Sequence, residues 1–492
     1  MKKLVLSMLI LLSSSLIFSC KKEKEIDPNP QQDGLQLSDE EKVVETFNRF
    51  VESLNRESET RATAVSKATV SSVRKISAGA YGGASQTRSS SDAPGLSTYE
   101  LTLENPDNTR GFAVVADPAV FDQVIAYAPV GSIADTVYNK GLALYFRELA
   151  MLSDIVSKQS KQEEATRSGN NDPRQSGWGD MAVFIDWGSE EFVRWLAPEE
   201  CGQGGNRSWV FYGPIDHEEI ASAYVPTKWN QDNPYNSAVP YPHCIYDPVY
   251  KLNIPVLVGC YAVAVGQIMA YHRYPPTYNW DLLTASQTIP VVPLIHFSHG
   301  EYQYDQYVYA NPTPTQYEVA RLLYDIALAG KTTYKTTPAP GEGGTSPENQ
   351  KQGLINMGYA VTGDIYDYME NEPSGTSSSV IRDEIQTYHR PVLYSAVGKY
   401  TSDGKPAGGH VWVVDAVLTF EQWEYISFWG YGPDGYTGEG LNRYRTQGRL
   451  LHCNWGWGGN SDGWYYSFIP SHGGKPIEFY TQKILFTGIH PK

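Results

Sequence analysis

The chain predicts an α+β fold. Three observations carry this: a long apolar helix-like run at Val258–His272, a second at Thr315–Leu328, and a late stretch from Val392 onward dominated by aromatic and β-branched residues. The composition agrees, with 35 tyrosines, 44 glycines and 31 prolines favouring strands and turns. Helices early and strands late suit two halves with a cleft between them. At 492 residues the chain has room for two or three domains.

The N-terminus carries an export signal over residues 1–19: Lys2 and Lys3, an apolar run from Leu4 to Leu12, then small residues. It is too short for an ordinary membrane span. The sequence Leu16-Ile17-Phe18-Ser19-Cys20 resembles a bacterial lipobox, which implies lipidation at Cys20 and an outer-membrane, cell-surface or secreted destination. Residues 20–37 are a polar tether. The expected membrane contact is through that lipid alone. A net charge of −16, without a basic stripe, argues against nucleic-acid partners.

Residues 38–157 form a first domain. Ser38 and Glu41 fit a capping box, opening a helix through Leu54. The Ser/Thr/Arg/Gly-rich stretch Glu57–Pro94 reads mostly as loop. Strands are predicted at Tyr99–Leu103, Gly111–Ala116 and Val124–Tyr127, and a helix around Asn139–Ser157. Residues 158–177 are polar and aperiodic, the composition of an exposed, protease-sensitive linker. Residues 178–492 form the large domain, with a Gly/Pro/Thr-rich loop at Thr332–Pro347 between its helical and strand-rich parts.

Five cysteines are present. An exported chain permits a disulfide, for which Cys201 and Cys244 are the candidate pair. There is no CxxC pair to hold a structural zinc. Cys260 follows a glycine at the first turn of the apolar helix, where unpaired N–H groups and the helix dipole favour a thiolate. The plain alternative is a buried small hydrophobe. A nucleophile needs a base, an orienting group and an oxyanion donor.

His272 is about three turns along the same helix, roughly 18 Å from Cys260, too far to be the base. His410 stands in Gly408-Gly409-His410-Val411-Trp412, where the glycines let a substrate backbone approach the ring. Asn454 in His452-Cys453-Asn454-Trp455-Gly456-Trp457-Gly458-Gly459 is placed to accept a hydrogen bond from the imidazole, and Trp455 to shield it. His452 with Cys453 as a metal pair is disfavoured, because adjacent strand residues face opposite sides. Gln231, in Trp229-Asn230-Gln231-Asp232-Asn233-Pro234, offers an amide to a developing oxyanion.

Taken together, WNQDNPYN, GCYAVAVGQIMAYHRYP, GGHVWVVDA and NWGWGGNSDGW, in that order, are similar to the streptopain-like bacterial cysteine peptidases. The similarity extends over roughly residues 225–490, and Arg110–Asp117 with Ile125–Tyr127 resembles that family's inhibitory propeptide. The resemblance implies a papain-like, two-lobed domain, one lobe helical and one antiparallel β, with a separate α+β propeptide acting as intramolecular inhibitor. It implies Cys260 as nucleophile and His410 as base and acid. Gln231 becomes the oxyanion donor, Asn454 and Trp455 the orienting and shielding pair, and Gly409 a contact to the substrate backbone. It also implies protein or peptide substrates, autocatalytic maturation, and no metal or organic cofactor. A surface protein- or peptide-binding module on an inactive scaffold is the alternative, disfavoured by retention of all four site residues.

Two features depart from the family pattern. Forty-three residues separate His410 from Asn454, including an aromatic-rich excursion from Phe420 to Arg449. The stretch Trp178–Tyr224 is also longer than a short mature N-terminus needs. It leaves the maturation site anywhere from Lys158 to beyond Arg207.

Overall fold

The computed structural model describes residues 38–58, 68–77, 97–116, 123–137, 139–147, 149–150, 191–195, 210–240, 243–247, 252–298, 305–334, 343–368, 376–397, 409–431, 437–466, 468–470, 476–478 and 482–492. Cys20, Cys201, the tether and the linker at 158–177 lie outside these residues. Among the described residues no helix is long and apolar enough to cross a membrane.

The fold is α+β. Helix α1 (Asp39–Ser58) begins with the expected capping box: the Ser38 backbone N–H donates to Glu41 Oε2 at 2.7 Å, and the Glu41 N–H to Ser38 Oγ at 3.3 Å. Val43, Phe47, Phe50 and Leu54 recur at helical spacing and are buried. Phe47 and Phe50 both pack on the Tyr127 ring, with centroids 5.7 Å apart in each case.

Beside it lie strands β1 (Thr69–Ser77), β2 (Ser97–Glu104), β3 (Arg110–Ala116) and β4 (Val124–Ala128), antiparallel in that order. Strand β1 corrects the reading of Glu57–Pro94 as mostly loop. It is an edge strand paired on β2, so its Ser, Arg and Lys residues stay in water and hide the alternation that marks a half-buried strand. After a 3₁₀ turn (Ile133–Val137), residues 140–147 and 149–150 are helical and are called α2 here.

One 12-stranded sheet joins this region to the rest of the chain. Its other strands are β5 (Glu191–Trp195), β6 (Val210–Ser222), β7 (Gly363–Tyr368), β8 (Val392–Val397), β9 (Gly409–Tyr431), β10 (Thr437–Asn454), β11 (Gly463–Tyr466) and β12 (Gln482–Thr487). The spatial order is β1-β2-β3-β4-β11-β10-β9-β8-β12-β7. The junction is β4 against β11, with Tyr127 opposite Trp464 and Ala126 opposite Tyr465.

Alternation along β9 divides the interior in two. Val411 and Val413 enter one core with the apolar helix α3 (Cys260–His272) and helix α4 (Pro314–Ala329). Trp412, Val414 and Ala416 enter the other, which holds β2–β4, α2 and α1. Helix α4 matches the run predicted at Thr315–Leu328 and starts with a Thr313–Gln316 capping box. Two further helices, α5 (Pro347–Asn356) and α6 (Thr376–Gln386), precede the late strands.

The excursion between His410 and Asn454 is a long antiparallel hairpin of β9 and β10. Its two edges are paired by strands from the stretch that looked too long upstream: β6 on β9 and β5 on β10. The two departures from the family pattern are therefore partners in one sheet.

Candidate active site

Gly259 and Cys260 set the centre. Gly259 is the residue before α3, with φ of 103°, a conformation that a Cβ would strain. No side chain caps this end of the helix, and Cys260, its first residue, is half-buried. The Val258 N–H donates to the Gln231 carbonyl at 2.9 Å, which ties the Trp229–Asn233 loop to the start of the Cys260 helix. Gln231 is 2% exposed, and its Nε2 has no hydrogen-bond partner. A buried amide donor left unpaired is costly, and groups of this kind call for an explanation in what they serve.

His410 begins β9 and is 3% exposed. Its Nε2 donates to the Trp455 carbonyl at 2.9 Å, so a neutral ring carries its proton on Nε2 and leaves Nδ1 unprotonated. Burial pushes the imidazole down to about 4; the bond to the carbonyl opposes the shift and Lys140 adds to it. The ring lies nearly parallel to Trp412 and Trp457, at 6.1 and 6.5 Å between centroids. Trp455 is fully buried, its ring tilted against His410 at 6.3 Å. Gly409 is exposed beside it at the start of the strand.

The bond expected between Asn454 and the imidazole is not the one found. Asn454 Oδ1 accepts from Gln267 Nε2 at 3.0 Å and from the Gly456 N–H at 3.2 Å, and Nδ2 donates to the Thr227 carbonyl at 3.0 Å. The carbonyl of the next residue takes the histidine instead, because the amide oxygen is already engaged by two donors.

Gln267 was not singled out from the sequence. Its Oε1 accepts from the Trp229 N–H at 3.0 Å while its Nε2 serves Asn454, so one fully buried amide joins the Gln231 loop, the Cys260 helix and the end of β10. The signal was available: Gln267 is a polar residue inside an apolar helix, seven positions after Cys260, which returns to the same face.

His452 and Cys453 do not form a shared site. His452 Nδ1 lies 2.6 Å from Asp415 Oδ1, while the buried Cys453 thiol, its pKa raised by burial, points at the Leu451 carbonyl. Asp415 Oδ2 accepts from the Val225 N–H at 3.1 Å, fastening the segment that leads into the Gln231 loop. His272 ends α3, as its position required.

Residues between 130 and 145 pack against this site. A Cβ on Gly141 of α2 would fall 2.6 Å from His410 Cδ2 and closer still to the Trp455 ring. The Ser461 N–H donates to the Val130 carbonyl at 2.8 Å. Asp135 Oδ2 accepts from Asn460 Nδ2 at 2.9 Å and from Ser461 Oγ at 3.2 Å. Tyr145 stacks edge-on against Tyr465 at 5.0 Å. Neither Gly141 nor Asp135 carried a sequence signal, because each acts through a neighbour about 270 to 330 positions away, as its contacts with His410, Asn460 and Ser461 show.

Residues 229–465 match the Peptidase C10 family, and that range contains Gln231, Cys260, His410, Asn454 and Trp455. Curated relatives include streptopain of Streptococcus pyogenes and the streptopains of its serotypes M3 and M18. Each is 26% identical over 253 residues, covering 48% of this chain and 52% of the relative. The chain spans about half the length of the curated relatives it matches. Over the matched region the chain is related to the streptopain-like cysteine peptidases of the Peptidase C10 family.

Proposed function

We propose that the chain is the exported zymogen of a cysteine endopeptidase that cleaves peptide bonds in proteins through a thioester. The observation that carries this is the unpartnered, buried Nε2 of Gln231, a residue whose backbone carbonyl is tied to Val258 just before the uncapped start of the Cys260 helix. In the proposed reaction His410 removes the thiol proton and the Cys260 sulfur attacks the scissile carbonyl. Gln231 Nε2 and the Cys260 N–H take the charge that builds on oxygen. His410 returns the proton to the leaving amine, and water then releases the acyl group. Gly409, exposed at the start of β9, is the proposed contact to the substrate backbone.

The packing of Gly141, Val130 and Asp135 on His410 and the Asn460–Ser461 turn supports a silent precursor. Burial disfavours the charged imidazolium here, and with it a thiolate–imidazolium pair. Lipidation at Cys20 and a bacterial outer-membrane, cell-surface or secreted location belong to the same proposal, as does self-cleavage within 158–177 or beyond. The positions of β5 and β6 favour the earlier part of that range, since both strands pair with the β9–β10 hairpin.

The test is Cys260→Ala in the full chain, assayed on casein and for change in its own size. Loss of both activities is expected. Retained hydrolysis would remove the mechanism. Unchanged self-processing in a purified preparation would remove autocatalysis alone.

A further inference from the structure

We propose that Asp462 is a positioning residue for His410, acting through the backbone of Trp455. Asp462 lies in the Asn460-Ser461-Asp462-Gly463 turn, 5% exposed, and its Oδ1 accepts from the Trp455 N–H at 2.8 Å. The carbonyl of that same Trp455 accepts the His410 Nε2 proton at 2.9 Å. One residue is thus held from its N–H side by a carboxyl and holds the imidazole from its C=O side. The inference rests on the peptidase reading above and adds to it the group that fixes the acceptor.

The local chain shows why the carboxyl is needed there. Gly456, Gly458 and Gly459 all have positive φ, so the segment after Trp455 folds back on itself and lacks strand partners of its own. The Gly456 N–H, in the same peptide as the Trp455 carbonyl, donates to Asn454 Oδ1 at 3.2 Å, and the Gly458 N–H to the Trp229 carbonyl, so the segment is held after Trp455 but not before it. Asp462 supplies the missing tie, seven residues on. Its other oxygen, Oδ2, is buried and has no partner, so the group is not there as half of an ion pair. Burial pushes the carboxyl up to about 7; the bond from the Trp455 N–H opposes the shift, as do His452 and Lys228, and Asp415 adds to it. A neutral acid here still offers its carbonyl oxygen to Trp455, so the tie persists in both protonation states.

With Asp462 removed, Trp455 would be held on one side only, through the Gly456 N–H and Asn454 Oδ1, and the Nε2 acceptor would be less firmly placed. The imidazole would then sample orientations that do not face the thiol. That loss acts on the chemical step and not on substrate capture.

The experiment compares the full chain with its Asp462→Ala and Asp462→Asn variants. Each is titrated with an irreversible epoxysuccinyl thiol alkylator and assayed for kcat and KM on a fluorogenic peptide, per titrated site. Asp462→Ala should lower kcat about tenfold to a hundredfold with KM within about threefold, the scale of a lost buried acceptor. Asp462→Asn keeps an amide oxygen in the acceptor position and should retain kcat within about threefold. Equal losses in both variants, or a fall confined to KM, would overturn the proposal.

An unmodified chain that neither hydrolyses nor is alkylated even after limited proteolysis within 158–177 would sink the peptidase reading itself, and this inference with it. If Asp462→Ala yields no folded chain, the pH dependence of Cys260 alkylation in Asp462→Asn decides. Superimposable profiles are expected, and a displacement of about half a pH unit or more counts against the relay.

Discussion

Gly141 and His410 are packed so closely that a β-carbon on the glycine would sit 2.6 Å from the imidazole Cδ2. Helix α2 therefore lies directly on the ring proposed to act as base, with no space between them for a side chain. That contact makes the smallest side chain in the chain a control point. Gly141→Val should force the two apart at a cost of about 1–3 kcal/mol, the usual scale of overpacking. The expected result is faster alkylation of Cys260 and earlier hydrolysis in the full chain. An alkylation rate equal to that of the unmodified chain, with the variant folded, would show that the contact does not restrain the site.

Burial of His410 also ties the covered state to pH. The folded ring has its pKa pushed down to about 4, against an ordinary value near 6.5. Between these values the unfolded chain binds more protons than the folded one, so this contribution to stability is complete above about 6.5 and lost as pH falls toward 4. The full effect is on the order of 3 kcal/mol. His272 shifts the same way, and Asp462, pushed up to about 7, acts in the opposite sense, losing its contribution as pH rises through 7. The effect of His410 is therefore read by difference. In a Cys260→Ala background, which blocks self-cleavage, the melting temperature should fall more between pH 6.5 and 4 than it does when His410→Gln is added. Parallel slopes would rule out His410 as the acid-sensitive group.

The parts of this site that were legible in the sequence are those with local signatures. Cys260 after a glycine, His410 after two, and the glycine-rich turn after Trp455 each announce a backbone need within a few residues. Helix α1 was legible to its capping residue, because Ser38 and Glu41 meet each other and nothing else is required. The same locality misled at Asn454. Its amide is consumed by Gln267, Gly456 and Thr227, and only the third dimension shows Gln267 arriving from the Cys260 helix. Strand β1 failed for a different reason: an edge strand facing water needs no alternation, so Thr69–Ser77 has the same Ser/Thr/Arg-rich composition as the sequence around it. The covering contacts from Asp135 and Gly141 had no signature, since a glycine that makes room for a histidine hundreds of residues away looks like any other.

Gln267 offers a test of the bridge the sequence did not reveal. Gln267→Leu fills the same space but leaves the Trp229 N–H and one lone pair of Asn454 Oδ1 unpaired in the interior. The expected cost is about 2–4 kcal/mol from two unsatisfied buried groups, seen as a lower urea midpoint with unchanged m-value. Gln267→Glu keeps an acceptor for Trp229 but offers no N–H to Asn454 when ionised, and should be destabilised as well. A midpoint unchanged in both variants would mean that the three segments are held by packing alone.

Gln231 should behave in the opposite way, and the contrast separates a structural amide from a chemical one. Its Nε2 makes no hydrogen bond in the structure, so deleting it breaks no hydrogen bond that folding uses. Its backbone carbonyl, which holds Val258, survives substitution. Gln231→Ala should therefore leave the unfolding free energy from a urea titration within about 1 kcal/mol of the unmodified chain once the lost side-chain volume is counted. If the amide donates to the developing oxyanion, kcat per alkylator-titrated site should fall about a hundredfold to a thousandfold while KM changes little. Alkylation of Cys260 should persist, because the thiol and His410 are untouched. A variant that loses stability and keeps its turnover would place Gln231 with Gln267, as a brace for the loop, and the oxyanion would then need another donor.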